Sequence, residues 1–212
     1  MVLGDLQAFV AANPYDVVIA HLGAEADVVH DALPEAVLTA EGKPTGEASL
    51  RRLTMALDDA TEGLPRAARG TRFAEEMTNV ARFQFGDAGK ALVEGATYRG
   101  RFPDVHALRG GAQVAMYTGR GLLSLTLEGG RLLSRHDAYC VEIEDFLPKG
   151  NVFAVGVTGA TQDIRVGDDV AVRHAGDVRA VGTARMTGRE MTDAERGEAV
   201  RVRHATPAAP NP

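Results

Sequence analysis

The sequence predicts an α+β chain: a small α/β unit, then a helix on an antiparallel sheet, then a compact β-barrel. Three observations predict it. Residues 148–204 carry several short β-type runs separated by glycine-containing turns, the pattern of a small barrel or sandwich. From Arg72 to about Val93 apolar residues recur at helical spacing, and from Tyr98 to Phe146 the pattern changes to β. Residues 1–63 mix short helix and strand signals and carry eleven acidic against three basic side chains, a net −8. The expected divisions are 1–63, 71–146, 147–204 and a tail at 205–212 rich in Pro and Ala, which is expected to be disordered.

In the first unit, Leu3, Leu6, Phe9 and Val10 fall at helical spacing, and Asn13-Pro14 stops that helix because proline disfavours helical geometry before it. Tyr15–Ala20 reads as a short buried strand. Thr45–Leu57 reads as a helix with Leu50, Leu53 and Leu57 on one face. Gly63–Gly70 has linker composition.

In the middle unit, Phe73, Met77, Val80, Ala81 and Phe85 make the apolar stripe of the long helix, with a break or kink expected at Gly86-Asp-Ala-Gly89. Gln113–Tyr117 and Leu122–Leu127 flank Thr118-Gly-Arg-Gly121, a hairpin signal. Glu128-Gly-Gly-Arg131 reads as a further turn, and Tyr139–Glu144 as a strand leading into the last unit. One helix on a small antiparallel sheet accounts for these pieces.

In the last unit, Asn151–Val157 reads as a buried strand and Ile164–Asp168 as a turn. Asp169–Arg173 alternates, Ala175–Asp177 turns, and Val178–Ala184 resumes the strand. Gly188 and Gly197 bracket a polar connection before Glu198–Arg203 alternates again.

Composition narrows the function classes. No apolar run reaches membrane-span length, and no basic segment followed by an apolar one marks a secretion signal at the start. Cys140 is the single cysteine, so neither an internal disulfide nor a cysteine-rich zinc site is available. These features make a cytoplasmic protein the expectation, with no membrane partner. The net charge is −6, yet residues 64–212 carry eighteen acidic and twenty basic residues, so any nucleic-acid contact is expected in the back of the chain.

Few residues suggest catalysis. His21 ends an apolar strand, where it is either a catalytic group or a locally hydrogen-bonded side chain. His136-Asp137 reads as a polar turn rather than a catalytic pair. Gly86–Lys90 lacks the spacing and the Ser/Thr of a phosphate loop. The six histidines show no metal-ligand spacing, and no metal or other cofactor is implied. Cys140 reads as a buried structural thiol. Nucleic-acid binding has better support. Lys149, Arg165, Arg173, Arg201 and Arg203 offer phosphate contacts, and Gly150 and Gly156 permit close backbone approach. Phe153 or His204 offers a stacking face, although the apolar neighbours of Phe153 favour a core position. The plainer alternative is turn glycines and a solvated arginine face. Arg72, Arg82, Arg99 and Arg101 either extend the basic tract or form surface ion pairs, the latter being the more economical reading.

The order of the pieces is more specific than their composition. Lys149-Gly150 opens an apolar run ending at Gly156-Val157. Ile164-x-x-Gly-Asp168-x-Val170-x-Val172 and Ala180-Val-Gly182-x-Ala184 follow. This pattern resembles a PUA domain, a small pseudobarrel that binds structured RNA. Arg185-Met-x-Gly188-x-Glu190-Met191 and Arg196-Gly-Glu-Ala-Val200-x-Val-Arg-His204 are similar to the PUA domain closing archaeal tRNA-guanine transglycosylases and archaeosine synthases. Arg82-x-Gln84-Phe-Gly86 and Gly121-x-x-Ser124-Leu-Thr126 resemble the domain that precedes it. Tyr15-Asp-Val-Val-x-x-His21-Leu22, Lys43-Pro-Thr45 and Ser49-Leu50 are similar to the segment after the synthase's catalytic motif.

The resemblance implies a role in archaeosine formation, where the family's synthase attaches lysine to the preQ0 base in the tRNA D-arm. It implies a PUA grip on the tRNA acceptor end, carried here by Lys149, Gly150, Gly156, Arg201 and Arg203. The chain departs from the family where catalysis belongs: Lys43-Pro44 is followed by Thr45 rather than Tyr, no Cys precedes it, and the transglycosylase barrel is absent. The expectation is therefore a C-terminal part or a separate subunit, without catalysis of its own, working with a catalytic partner protein; a homo-oligomer is compatible with the pattern. The alternative is a docking subunit whose acidic residues 1–63 hold a partner such as the family's radical-SAM protein. Only three lysines against twenty arginines, with abundant acid, matches salt-adapted proteins, so a haloarchaeal source is expected.

Overall fold

The computed structural model describes residues 7–8, 10–11, 17–20, 31, 33, 36–38, 46–65 and 69–207. It divides into two units, residues 1–67 and 68–212. In the first, β1 (Ile19–Ala20) pairs in parallel with β2 (Val37–Leu38), and α1 spans Glu47–Ala60. The helix is where the leucine spacing predicts it, but its leucine face is only partly covered: Leu53 is half-buried, while Leu50 is 61% and Leu57 43% exposed. The first predicted helix falls largely outside the described residues, and His21 and Lys43-Pro-Thr45 fall wholly outside them.

The second unit opens with α2 (Arg69–Val93), which is non-helical at Gly86 (φ 58°, ψ −142°). A side chain is disfavoured at that φ, so glycine sets the kink. Met77, Ala81, Phe85 and Leu92 bury the helical stripe. The strands β3 (Thr97–Arg101), β4 (Asp104–Arg109), β5 (Ala112–Tyr117) and β6 (Leu123–Leu125) make an antiparallel meander in sequence order. The helix is tied to the sheet through buried Gln84, whose amide donates to the Leu123 carbonyl and whose oxygen accepts from the Leu123 N–H, both at 2.8 Å.

The expected turn at 128–131 is instead part of a helix, α3 (Leu127–Ser134). Two adjacent glycines read as a turn by propensity, but here they permit contact. A Cβ on Gly129 would lie 2.0 Å from the Val114 carbonyl oxygen, and one on Gly130 would lie 2.6 Å from a Val181 methyl. Thr126 caps the helix by accepting from the Gly129 N–H.

The remaining strands are β7 (Cys140–Ile143), β8 (Val152–Phe153), β9 (Val157–Ala160), β10 (Asp169–His174), β11 (Asp177–Ala184) and β12 (Glu198–Ala205). Their order is β8-β12-β11-β10-β7-β9, a nearly closed barrel. The strand expected to lead into the barrel, β7, is one of its members, parallel to β10 and antiparallel to β9. The polar connection expected after Gly188 contains a short helix, α4 (Gly188–Asp193), closed by a capping box between Thr187 and Glu190. The expected buried strand 151–157 is broken: a 3₁₀ turn at Ala154–Gly156 separates β8 from β9.

Two apolar cores result. Val141, Ile143, Val170, Val172, Ala180, Met191 and Val200 fill the barrel. The other lies between α2, the meander, α3 and the outer face of the barrel, where Cys140, Ala171, Val178 and Val181 join it. Each fully buried Leu, Ile or Phe side chain contributes about 1.5–3 kcal/mol. Strand β10 is therefore buried on both faces, which is why its alternation does not mark an exposed side.

Candidate nucleic-acid interface

The loop from β7 to β8 and the crossing to β9 shape one barrel surface. Pro148 is buried and anchors the loop, while Lys149 and Gly150 are exposed. A Cβ on Gly150 would meet nothing within 4 Å, so neither packing nor a positive φ demands glycine there. Asn151 fastens the loop to β12: its amide donates to the Glu198 carboxylate at 3.0 Å, and its oxygen accepts from the Val202 N–H at 3.2 Å. Glu198 also receives Arg201 at 3.1 Å and Arg185 at 3.6 Å, so one carboxylate organises two guanidinium groups beside the loop.

Next to this polar cluster the surface is apolar. Phe153 is 53% exposed and Val155 76% exposed. The core position favoured for Phe153 is thus not the one it takes. Its neighbours Val152 and Ala154 turn inward, and a two-residue strand followed by a 3₁₀ turn leaves the ring outside. Gly156 sits against Phe146, whose ring would be 3.3 Å from a Cβ there. Phe146 itself remains 38% exposed.

The other expected contact residues divide. His204 and Arg201 are exposed on β12. Arg165 is exposed in the turn after β9, where its N–H donates to Asp168 at 2.8 Å. Burial raises the Asp168 carboxyl above the ordinary aspartate range. Arg173 and Arg203 face inward. Arg173 donates to Glu142 at 2.7 Å, pairs with Asp137 at 2.8 Å and donates to the Ser134 carbonyl at 2.9 Å. Burial disfavours its charged form, but those carboxylates outweigh the penalty and hold the guanidinium above its usual range. Arg203 reaches across β11 to Asp169, which is 1% exposed, and donates to the Leu125 carbonyl at 2.9 Å. Asp169 in turn accepts from the Leu125 N–H at 2.7 Å. These two arginines join the barrel to α3 and β6, rather than presenting charge to solvent.

A cavity of about 540 Å³ opens beside Arg173, lined by Arg131, Arg135, Asp137 and Asp177 among others. Its carboxylates counter much of its arginine charge. His136-Asp137 is an exposed turn, and Asp137 is engaged with Arg173. Cys140 is buried, its thiol pushed up to about 11, chiefly by burial. Among the described residues no group of His, Cys, Asp and Glu is arranged to hold a metal ion, and no helix is long and apolar enough to cross a membrane.

Sequence reasoning missed Asn151 and Glu198 as organisers of the surface, because the pairing of β8 with β12 that joins them is long-range. The barrel with this crossing loop is matched by the PUA domain family model over residues 141–206. Over nearly its whole length the chain is also similar to archaeosine synthases. It is 36% identical to that of Haloferax volcanii over 212 residues, covering 94% of this chain and 35% of the relative. It is 30% identical to the archaeosine synthase subunit alpha of Thermoplasma acidophilum over 199 residues, covering 93% of this chain and 38% of the relative. The chain thus spans little more than a third of these curated relatives. Among solved structures, AF0587, a protein of unknown function, superposes with a TM-score of 0.57 at 27% identity, covering 97% of this chain and 73% of that one.

Proposed function

We propose that this chain is an RNA-binding module of archaeosine tRNA modification, and that its PUA barrel grips the acceptor end of tRNA for a catalytic part outside these residues. The similarity to archaeosine synthases supports the pathway, and the PUA match supports RNA as ligand. The observation that carries the contact surface is the exposed Phe153 and Val155 beside Lys149 and a glycine that the fold does not require. A ring at the surface supplies a sequence-tolerant platform for an unpaired base, worth about 1–3 kcal/mol per base. Lys149 and Arg201 supply phosphate contacts, Gly150 and Gly156 close backbone approach, and the exposed Arg165 and His204 of the same barrel add further contacts. Arg173 and Arg203 hold the frame. Stacking and shape matter more than net charge in the salt-rich cytoplasm that the composition suggests, because counterion release weakens there.

The test is anisotropy of labelled tRNA in near-molar KCl, comparing an intact acceptor end with one trimmed of its terminal single strand. Tight binding that is lost on trimming and weakened by F153A or K149E supports the reading; equal binding to both tRNAs overturns the acceptor-end assignment. One observation favours a second reading. Leu50, Met55 and Leu57 of α1 are exposed in an acidic unit, which suits docking of a catalytic partner such as a radical-SAM protein. Co-elution with that partner, abolished by L50E/L57E while tRNA binding persists, separates the two.

A further inference from the structure

We propose that the tip of the β3–β4 hairpin and the adjoining β5–β6 loop form a second RNA contact, one that takes a looped or unpaired segment away from the acceptor end. It rests on the preceding reading that the chain binds tRNA, and it assigns a separate surface. Strands β3 and β4 pair to their ends, Arg101 opposite Asp104, leaving Phe102-Pro103 as the tip. Phe102 is 69% exposed, with its ring centroid 5.5 Å from that of Tyr117 behind it. The β5–β6 loop comes up beside the tip: a Cβ on Gly119 would lie 3.9 Å from the Pro103 ring. This loop closes on itself, the Thr118 N–H donating to the Leu122 carbonyl and the Gly121 N–H to the Thr118 carbonyl. Arg120 is thereby held out at its apex.

Unpaired charge and an exposed ring coincide here. Arg99, Arg101 and Arg120 are all exposed, and none forms an ion pair among the described residues. Elsewhere in the unit Arg131, Arg173, Arg179, Arg185, Arg189, Arg201 and Arg203 each meet a carboxylate, while the exposed Arg135 and Arg196 form no ion pair among the described residues. The surface ion pairs expected for Arg99 and Arg101 are not formed among the described residues. In a chain with 29 acidic and 23 basic residues, three uncommitted arginines on the hairpin and loop that carry one exposed ring are not an average surface. Guanidinium groups flanking an aromatic face match a nucleotide run, which brings phosphates and a π surface together. An acidic peptide satisfies the arginines but leaves the ring without a stacking partner.

The experiment compares R101A/R120A and F102A with the parent chain, using full tRNA and an acceptor-stem minihelix, by anisotropy across a KCl series. On full tRNA the double variant is expected to lower the slope of log K against log salt by about 2, one per lost phosphate contact. F102A is expected to weaken binding about 5- to 150-fold, the range of one lost stack. On the minihelix none of these changes should appear, and the melting temperature of the arginine variant should be unchanged. If R101A/R120A leaves the slope and affinity on full tRNA unaltered while K149E still weakens both ligands, the tip contact is refuted and the barrel reading stands. Equal losses on the minihelix also refute it, by placing the tip at the acceptor end. If the tip variants weaken full tRNA while K149E and F153A do nothing, the tip contact stands and the barrel reading falls.

Discussion

Arg203 separates two roles that the sequence leaves superimposed, and a Met in its place measures them. The guanidinium is 29% and the Asp169 carboxylate 1% exposed. R203M keeps the apolar stem but strands a buried carboxylate whose remaining partner is the Leu125 N–H, and removes the donor to the Leu125 carbonyl. Removing one member of a buried pair costs about 3–5 kcal/mol, because the survivor cannot be rehydrated. At about 2–4 °C per kcal/mol for a unit of this size, the melting temperature should fall by about 6–20 °C. Urea unfolding at fixed salt measures the free energy, and tRNA anisotropy on the folded variant measures the contact. D169N/R203M should recover most of the loss, since no charge is then buried unpaired. A loss under about 1 kcal/mol, the level of an exposed pair, together with a salt slope lower by about 1, would refute the reasoning and return Arg203 to the phosphate backbone.

Other outcomes follow from the same geometry. G129A should destabilise by about 1–3 kcal/mol or more, since its methyl would meet the backbone of β5, whereas G150A should leave thermal melts unchanged. Cys140, buried and with its thiol at about 11, should resist alkylation near neutral pH in the folded protein and react in denaturant. The Glu190 carboxyl is held below its ordinary 4.5, first by the Thr187 N–H and then by its hydroxyl. The folded form thus favours the ionised carboxylate, so its stabilisation is present above 4.5 and is lost as pH falls through the lowered value. Melting temperature against pH should show that acid-side decline in the parent and a flatter curve in E190Q.

The barrel was largely legible because its strands are local patterns bounded by turns. The Ala175–Asp177 turn, β11 and the run ending in β12 stand where the sequence places them. The kink at Gly86 was legible for the same reason. What was hidden is tertiary. Gly129-Gly130 signals a turn until a strand and a valine press on that face. The signal for α4 was present, Thr187 with Glu190 three residues on, and was masked by the flanking glycines. Asp169 looks like the solvent side of an alternating strand, yet β10 has an inside and a second outside core. No single-strand pattern reports that a barrel's outer face is itself covered.

This double burial also decides which arginines can serve a ligand. Once α3 and the meander pack on β7, β10 and β11, any guanidinium near that seam needs a carboxylate, and Arg173 and Arg203 take theirs from Glu142, Asp137 and Asp169. On the uncovered side Lys149 of the β7–β8 loop has no ion pair among the described residues, while Arg201 on β12 shares Glu198 with Arg185 at the surface. The meander shows the same partition. Its inward residues, such as Ala107 and Val114, close the core, while Arg99, Arg101 and Arg120 are exposed toward its β3–β4 and β5–β6 turns. A basic residue count over the carboxyl-terminal unit therefore overstates the charge available to RNA. The relevant quantity is the subset left without an ion pair among the described residues once the seam is satisfied, which holds Lys149 on the barrel, Arg99, Arg101 and Arg120 on the meander, and also Arg135 and Arg196.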